Sequence, residues 1–289
     1  MIPFTYKEPA SVEEALELLA LHGEEAKLIA GGTGLINLMK LNLVQPEMVI
    51  GLKALGHLSG IVENGGLRIG ALTTLHTLET SAVLARAAPL LADACRHVAT
   101  VRVRVAATLG GAMAHADPHM DTPPALIALD ARIVARSKRG QREIAVEDLF
   151  TGYFETVLEP DELVTEVIIP PQPAGNGTAF LKFLPASHDD YATISVACRL
   201  VLDAAGRIAN ARIALGSAGL TPVRARMLEG ELVGLVPGEK AFDKAMPLVA
   251  DQITPLADFR GSSEYKRSMA VVFVRRALLQ ASGAAKAAI

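Results

Sequence analysis

The chain has 289 residues, of which 51% are hydrophobic, 20% charged and 4% aromatic. That apolar share excludes general disorder, and at roughly 100–200 residues per domain the length suggests two domains. Lys and Arg number 28 against 31 Asp and Glu, a net charge of -3 that lacks the concentrated positive charge of a nucleic-acid surface.

Ser11 before Val12-Glu13-Glu14 predicts a capping box that opens a helix, with Leu16, Leu18, Leu19 and Leu21 as its apolar face and Gly23 as its stop. Residues 26–30 read as a short buried strand that runs straight into Gly31-Gly32-Thr33-Gly34, and a helical pattern follows from Leu35 to Lys40. Residues 48–50 and 67–69 read as strands bounded by Pro46, Gly65 and Gly66. Residues 73–91 read as helical, with a kink or fresh start near Pro89. Val101, Val103 and Val105 alternate with Arg102 and Arg104, a strand signal. A run of small residues follows to Ala116, then a loop over 117–124 that opens a helix at 125–129. Residues 132–135 and 143–146 read as a hairpin around Lys138-Arg139-Gly140. Pro and Gly concentrate at 170–177 and mark a boundary without regular structure. Beyond it, 180–184, 193–202 and 207–215 read as three antiparallel strands, and 224–233, 240–249 and 265–280 as helices.

Cys95 and Cys198 are the two cysteines, too few for a disulfide framework and unable alone to hold an iron–sulfur cluster. The first residues lack a basic stretch followed by an apolar run, and no apolar stretch approaches the roughly 18 residues of a membrane span. The sequence therefore reads as that of a cytoplasmic globular protein.

Two glycine clusters can carry chemistry. Gly31-Gly32-Thr33-Gly34, between strand and helix, exposes backbone N–H groups that can hold phosphate, or is simply a tight turn. It lacks the G-x-G-x-x-G spacing of dinucleotide folds and the Gly-Lys-Ser/Thr of a P-loop. Thr108-Leu109-Gly110-Gly111 repeats the theme with a hydroxyl added; its plainer reading is close packing of two strands. A pyrophosphate needs donors from several loops, so the pair together says more than either alone.

His115, Asp117, His119 and Asp121 alternate and invite a metal reading, against which Pro118 breaks the geometry. Asp121 alone suits a helix N-cap or a carboxylate that accepts ribose hydroxyls. Lys182, a charge within an apolar strand, reads as the solvent face of an edge strand. His188-Asp189-Asp190-Tyr191 contains a triad-like fragment, but Ser187 and Ser195 lack a G-x-S-x-G context. Cys198 reads as core, and Lys266-Arg267 with Arg275-Arg276 as a solvated or subunit-facing surface.

Taken together, these segments resemble the FAD-binding medium subunit of molybdenum hydroxylases, the carbon monoxide dehydrogenase/xanthine dehydrogenase class. The start Ile2-Pro3-Phe4-Thr5-Tyr6 with Pro9-Ala10-Ser11 is similar to that family's start. Ala30 to Leu35 is similar to its first flavin motif, and Thr108 to Gly111 with Ala114 to Pro118 and Asp121 to its second. Gly261 to Arg267 is similar to its C-terminal signature.

The resemblance spans the chain and implies an α+β fold. A vanillyl-oxidase-like (PCMH-type) FAD-binding domain over 1–173 has subdomains of about 1–55 and 56–173. A C-terminal domain over 178–285 carries a three-stranded antiparallel sheet and helices. The resemblance further implies that Leu28, Ile29, Ala30, Gly31, Gly32, Thr33, Gly34 and Leu35 hold the FAD pyrophosphate and ribityl chain with Thr108, Leu109, Gly110, Gly111 and Ala112. Ala116 joins the second motif, Asp121 takes the adenosine ribose, Val164 or Thr165 touches the adenine side, Lys182 approaches the flavin, and Tyr191 lies against its ring. Gly34, Val105 and Ala112 stand where the family often has polar residues, which removes side-chain bonds but leaves backbone donors.

The implied activity is electron transfer by an oxidoreductase subunit. A large partner holds the molybdenum pterin cofactor, a small partner holds 2Fe–2S clusters, and FAD on this chain passes electrons to an external acceptor. The implied assembly is a dimer of heterotrimers. No acid, base or nucleophile of the chain itself is implied in catalysis. The alternatives are a freestanding flavin oxidase or dehydrogenase, a metal-dependent hydrolase around His115 and Asp117, and a scaffold that has lost FAD.

Overall fold

The computed structural model describes residues 2–185, 187 and 189–288, which form a mixed helix-and-sheet architecture around three hydrophobic cores. The first core lies against a parallel sheet in the order Thr5–Lys7, Met48–Gly51, Ala26–Ile29. Its central strand Met48–Gly51 is buried at every position, as expected of a parallel strand between two neighbours. Helix Val12–His22 lays Val12, Ala15, Leu16 and Leu19 on that core, one face of a 3.6-residue period. Ser11 caps it by accepting the Glu14 N–H at 3.1 Å, while Glu14 takes the N–H of Ala10 at 2.8 Å, one residue earlier than a standard capping box.

The second core lies under an antiparallel sheet in the order Ile61–Glu63, Leu67–Gly70, Leu163–Ile169, Arg132–Ser137, Gly140–Ala145. Short helices cover its inner face. Residues 73–91 form three of them, Leu75–Thr80, Ala82–Ala87 and the start of Pro89–Arg96, rather than one. Ser81 explains the first break: it is extended, ends one helix and caps the next by accepting the Leu84 N–H.

Residues 101–105 are not a strand. Val101–Arg104 is a short helix, and the Arg104 guanidinium turns inward to the carbonyls of Val98 and Ala99 at 2.9 and 2.8 Å and to Glu79 at 3.0 Å. Those tertiary bonds override the alternating pattern. Thr108–Gly111 is likewise not a strand crossing; it caps and begins the helix Leu109–His115.

The third core belongs to an antiparallel sheet of Asn176–Phe183, Ile194–Leu202, Ile208–Gly216 and Val223–Arg224, crossed by the long helix Ser263–Ala287. The fourth strand has two residues, too few to leave a pattern in the sequence. The first begins inside the Pro/Gly stretch because Gly177 lies against the Ala281 carbonyl, where any Cβ would collide. Cys198 is core, as read, and burial pushes the thiols of Cys95 and Cys198 upward. Helix Thr122–Ala128, buried at all seven positions, wedges between helix Pro89–Arg96 and the third sheet. Residues at both its ends are ion-paired to that sheet: Asp121 to Lys182, and Asp130 to Arg199 and Arg212.

Candidate functional site

The two glycine motifs meet. Gly31 sits so close to the Ala106 carbonyl that a side chain there would collide, and it also crowds the Ala107 nitrogen. A Cβ on Gly111 would reach the Ala30 methyl at 4.0 Å, and one on Gly34 would strike His115 Nε2 at 2.5 Å. The first loop therefore runs along the helix Leu109–His115, held there by the absence of side chains. Gly32 adopts φ +69°, the left-handed turn that aims the loop into the helix Leu35–Lys40.

The two motifs differ in what they leave free. The N–H groups of Gly31, Gly32, Thr33 and Gly34 find no acceptor among the described residues. The second motif is spoken for, contrary to the expectation that its glycines free the amides. Leu109 donates to the Thr73 carbonyl at 3.0 Å, Gly110 to that of Ala71 at 2.8 Å, Gly111 to Thr108 Oγ at 3.2 Å and Ala112 to the Thr108 carbonyl at 2.9 Å. It is a brace against which the first loop's donors are presented.

Val164 and Thr165 lie beside this brace. Ala71, which takes the Gly110 N–H, donates its own N–H to the Thr165 carbonyl at 3.0 Å. A register shift between Val164 and Glu166 leaves Thr165 out of the ladder with Arg132–Ser137.

Asp121 and Lys182 form a buried ion pair at 2.8 Å, with side chains 5% and 1% exposed. Lys182 is thus not on a solvent face; its ammonium also donates to the His97 carbonyl at 2.8 Å. Asp121 makes no cap bond to its helix, and its Oδ1 is buried without a partner. Burial pushes the Asp121 carboxyl up to about 6, against the pull of Lys182. Four unpaired amides on a glycine loop and a lone buried carboxylate oxygen are the donors and acceptor that a phosphate and a sugar hydroxyl require. The residues present fit a flavin dinucleotide.

Residues 2–172 match the family model described as the FAD binding domain in molybdopterin dehydrogenase, and residues 179–281 the CO dehydrogenase flavoprotein C-terminal domain. The carbon monoxide dehydrogenase medium chain of Afipia carboxidovorans is 37% identical, with 99% of this chain and 100% of that protein covered. A solved carbon monoxide dehydrogenase from Hydrogenophaga pseudoflava is 36% identical with a TM-score of 0.94, covering 98% of this chain and 99% of that one. Quinoline 2-oxidoreductase from Pseudomonas putida 86 is 32% identical with a TM-score of 0.92, covering 98% of each chain.

The chain belongs to the FAD-binding medium subunits of molybdenum hydroxylases. It is an oxidoreductase subunit.

In this medium subunit Tyr191 stands in a second cluster, apart from the Asp121–Lys182 pair. Its ring is 5.8 Å from that of His119 and 5.7 Å from the Arg260 guanidinium. Its phenol faces Asp117, and burial and that carboxylate together raise its pKa, so it stays protonated. Burial opposes the Asp117 charge, but the ring and backbone N–H of His119 outweigh it and hold that carboxyl below its usual range. Burial pushes the His115 pKa down, against the pull of Asp117. The described residues hold no group of three metal-capable side chains, so His115, Asp117, His119 and Asp121 do not converge as the metal reading requires.

Of the triad-like fragment, His188 lies outside the described residues, and Asp190 pairs with Arg260 at 2.6 Å. Lys266 is not a surface residue: its side chain is 1% exposed and its ammonium meets Asp258 at 2.8 Å. Ala71, His97, Asp258 and Arg260 escaped the sequence reading. The first two act through backbone carbonyls, which no side-chain pattern reveals.

Proposed function

We propose that this medium subunit seats FAD across its two motifs and serves as the electron exit of a molybdenum hydroxylase. The observation that carries the reading is the first loop, Gly31 to Gly34, with unpaired amides closed against a second motif whose amides from Leu109 to Ala112 are bonded. Residues 28–35 hold the pyrophosphate and ribityl chain, with Thr108 to Ala112 and Ala116 as the supporting wall. Asp121 Oδ1 accepts the adenosine ribose, and Lys182 fixes that carboxylate as well as facing the cofactor. Val164 and Thr165 line the adenine side, and Tyr191 covers the flavin ring. Bound FAD supplies the interchange of one- and two-electron steps. The chain's own residues bind and orient it.

Electrons reach this subunit from 2Fe–2S clusters on a small partner and originate at the molybdenum pterin cofactor of a large one. They leave to an external acceptor. The assembly is a dimer of heterotrimers in the cytoplasm. The FAD-binding domain spans 1–173, with subdomains of about 1–55 and 56–173, and the C-terminal domain spans 178–285. Relatives named for carbon monoxide and for quinoline share this chain's fold at similar identity, so the substrate is chosen on another subunit.

The visible spectrum of the purified chain, followed by acid release of the chromophore, tests the core of this reading. Flavin bands and FAD in the supernatant support it. A well-folded, colourless chain that takes up no added FAD sinks it.

A further inference from the structure

The carbonyls of His97, Val98 and Ala99 are taken one after another by two inward-turned cations. His97 receives Lys182 Nζ at 2.8 Å, and the Arg104 guanidinium donates to Val98 at 2.9 Å and to Ala99 at 2.8 Å. Both side chains are withdrawn from solvent, Lys182 being 1% exposed and Arg104 15%. The same guanidinium is ion-paired with Glu79 at 3.0 Å, and Glu79 is fixed in turn by His76 Nδ1 at 2.7 Å. Ala99 is held at φ +39°, a left-handed conformation that an alanine keeps only where its surroundings enforce it.

Arg104 also closes a ring of contacts through the helix Leu75–Thr80. Glu79 stands near one end of that helix, and at the other end Leu75 donates its N–H to the Ala107 carbonyl at 2.9 Å. Ala107 lies in the turn into which the Arg104 helix leads, with its N–H on the Val103 carbonyl at 2.8 Å. The neighbouring carbonyl, that of Ala106, is the surface on which Gly31 lies. Arg104 therefore reaches both halves of the seat at one remove: the Asp121–Lys182 pair through residues 97–99, and the glycine loop through residues 106 and 107.

We propose that Arg104 is a positioning residue for the dinucleotide: it sets the separation between the glycine loop that takes the pyrophosphate and the Asp121–Lys182 pair that takes the ribose. The inference rests on the FAD reading above and deepens it. Arg104 touches neither cofactor nor substrate. Its planar fork serves a carboxylate and two carbonyls at once, which a lysine ammonium on a flexible stem does not. With the fork lost, the Val98 and Ala99 carbonyls have no donor, the strained turn relaxes, and the His97 carbonyl and the Lys182 ammonium shift together against Asp121.

The test sets FAD affinity, from equilibrium fluorescence titration of the full chain, against stability in urea for Arg104→Lys, Glu79→Gln and a control, Arg142→Lys. Arg104→Lys keeps a charge opposite Glu79, so it stays folded and binds FAD about tenfold more weakly, the worth of one charge-assisted hydrogen bond. Glu79→Gln weakens binding in the same direction and by less. Arg142 makes the same kinds of contact, to Glu162 and to the Val157 carbonyl, on the edge strand Gly140–Ala145, so Arg142→Lys leaves FAD affinity unchanged. A titration reads the displacement directly. Burial raises the Asp121 pKa, Lys182 and His97 lower it and Asp117 raises it. With Lys182 and His97 displaced, the loss of FAD affinity toward acid moves to higher pH in Arg104→Lys than in wild type. In an Asp121→Asn background, Arg104→Lys costs less affinity than in wild type, because the two substitutions disturb one chain of contacts. Wild-type FAD affinity in both Arg104→Lys and Glu79→Gln overturns the proposal. So does an affinity loss that Arg142→Lys reproduces at equal loss of stability, or an unmoved pH curve with a fully additive cost in Asp121→Asn. A wild-type chain that binds no FAD fails earlier, on the parent reading, and takes this inference with it.

Discussion

Two Asp–Lys pairs in this subunit have the same 2.8 Å geometry and opposite surroundings. In each the lysine is 1% exposed and also donates to a backbone carbonyl, that of His97 for Lys182 and of Leu256 for Lys266. Asp258 is 24% exposed and accepts further bonds from Arg260; burial opposes its charge, but Lys266 and Arg260 outweigh it and its pKa falls. Asp121 is 5% exposed with a lone Oδ1, and its pKa rises. Both oxygens of Asp258 are bonded, whereas Asp121 Oδ1 has no partner among the described residues, and that oxygen is the one left to accept from a ligand.

The largest effect expected from that contrast is on stability. Lys182→Met leaves a buried carboxylate with no donor, and breaking such a pair costs about 3–5 kcal/mol. Lys266→Met leaves Asp258 with Arg260 and solvent, for about 1–2 kcal/mol. Urea denaturation at pH 8, where Asp121 is ionised, compares them directly. Equal losses would erase the distinction between the two pairs.

The second effect is in pH. Asp121 has a folded pKa of about 6 against the ordinary aspartate value of 3.8, so between those values the folded chain binds the extra proton. Its contribution to stability therefore declines as pH rises from about 4 to 6, by on the order of 2–3 kcal/mol. Asp258, with its pKa lowered, acts the other way: its contribution is present above its unfolded pKa and is lost as pH falls through the folded one. Asp121→Asn should remove the first slope and leave the second. FAD adds a twist, because a ribose hydroxyl donated to Oδ1 favours the ionised carboxylate. FAD affinity should then weaken as pH falls below 6 in the wild type and stay flat in Asp121→Asn, as measured by equilibrium fluorescence titration.

What the sequence revealed of this contrast follows the range of each interaction. The glycine motifs are local, and turn chemistry wrote them plainly at 31–34 and 108–111. The strand Met48–Gly51, the hairpin Arg132–Ala145 and the long last helix follow from short-range periodicity. The Asp121–Lys182 pair joins residues 61 positions apart, and a single lysine among Phe180, Leu181 and Phe183 looks like any edge-strand charge. Lys266 misled in the same way. The helix at Val101–Arg104 is one turn long and is set by where Arg104 must reach, not by its own pattern. The occupied amides of the second motif depend on Ala71 and Thr73, more than 30 residues upstream, so the sequence could show glycines but not whether their donors were free.

The smallest effect tests whether the Asp258 pair is structural in the sense argued. It lies just before the helix Ser263–Ala287, whose first turn is closed by Ser262 Oγ accepting the Tyr265 N–H at 3.1 Å. Lys266 sits one turn in, so the pair and the cap fasten the same helix end to the loop 256–261. Ser262→Ala should cost about 1 kcal/mol, the usual worth of an N-cap. Combined with Lys266→Met, the loss should be less than additive, because both substitutions release one turn. Combined with Lys182→Met it should be additive, since that pair fastens a different helix, Thr122–Ala128, to a different sheet edge. In neither background should Ser262→Ala alter the affinity for FAD. If it did, the C-terminal signature and the flavin seat would be one coupled unit, and the division between a structural and a binding Asp–Lys pair would fail.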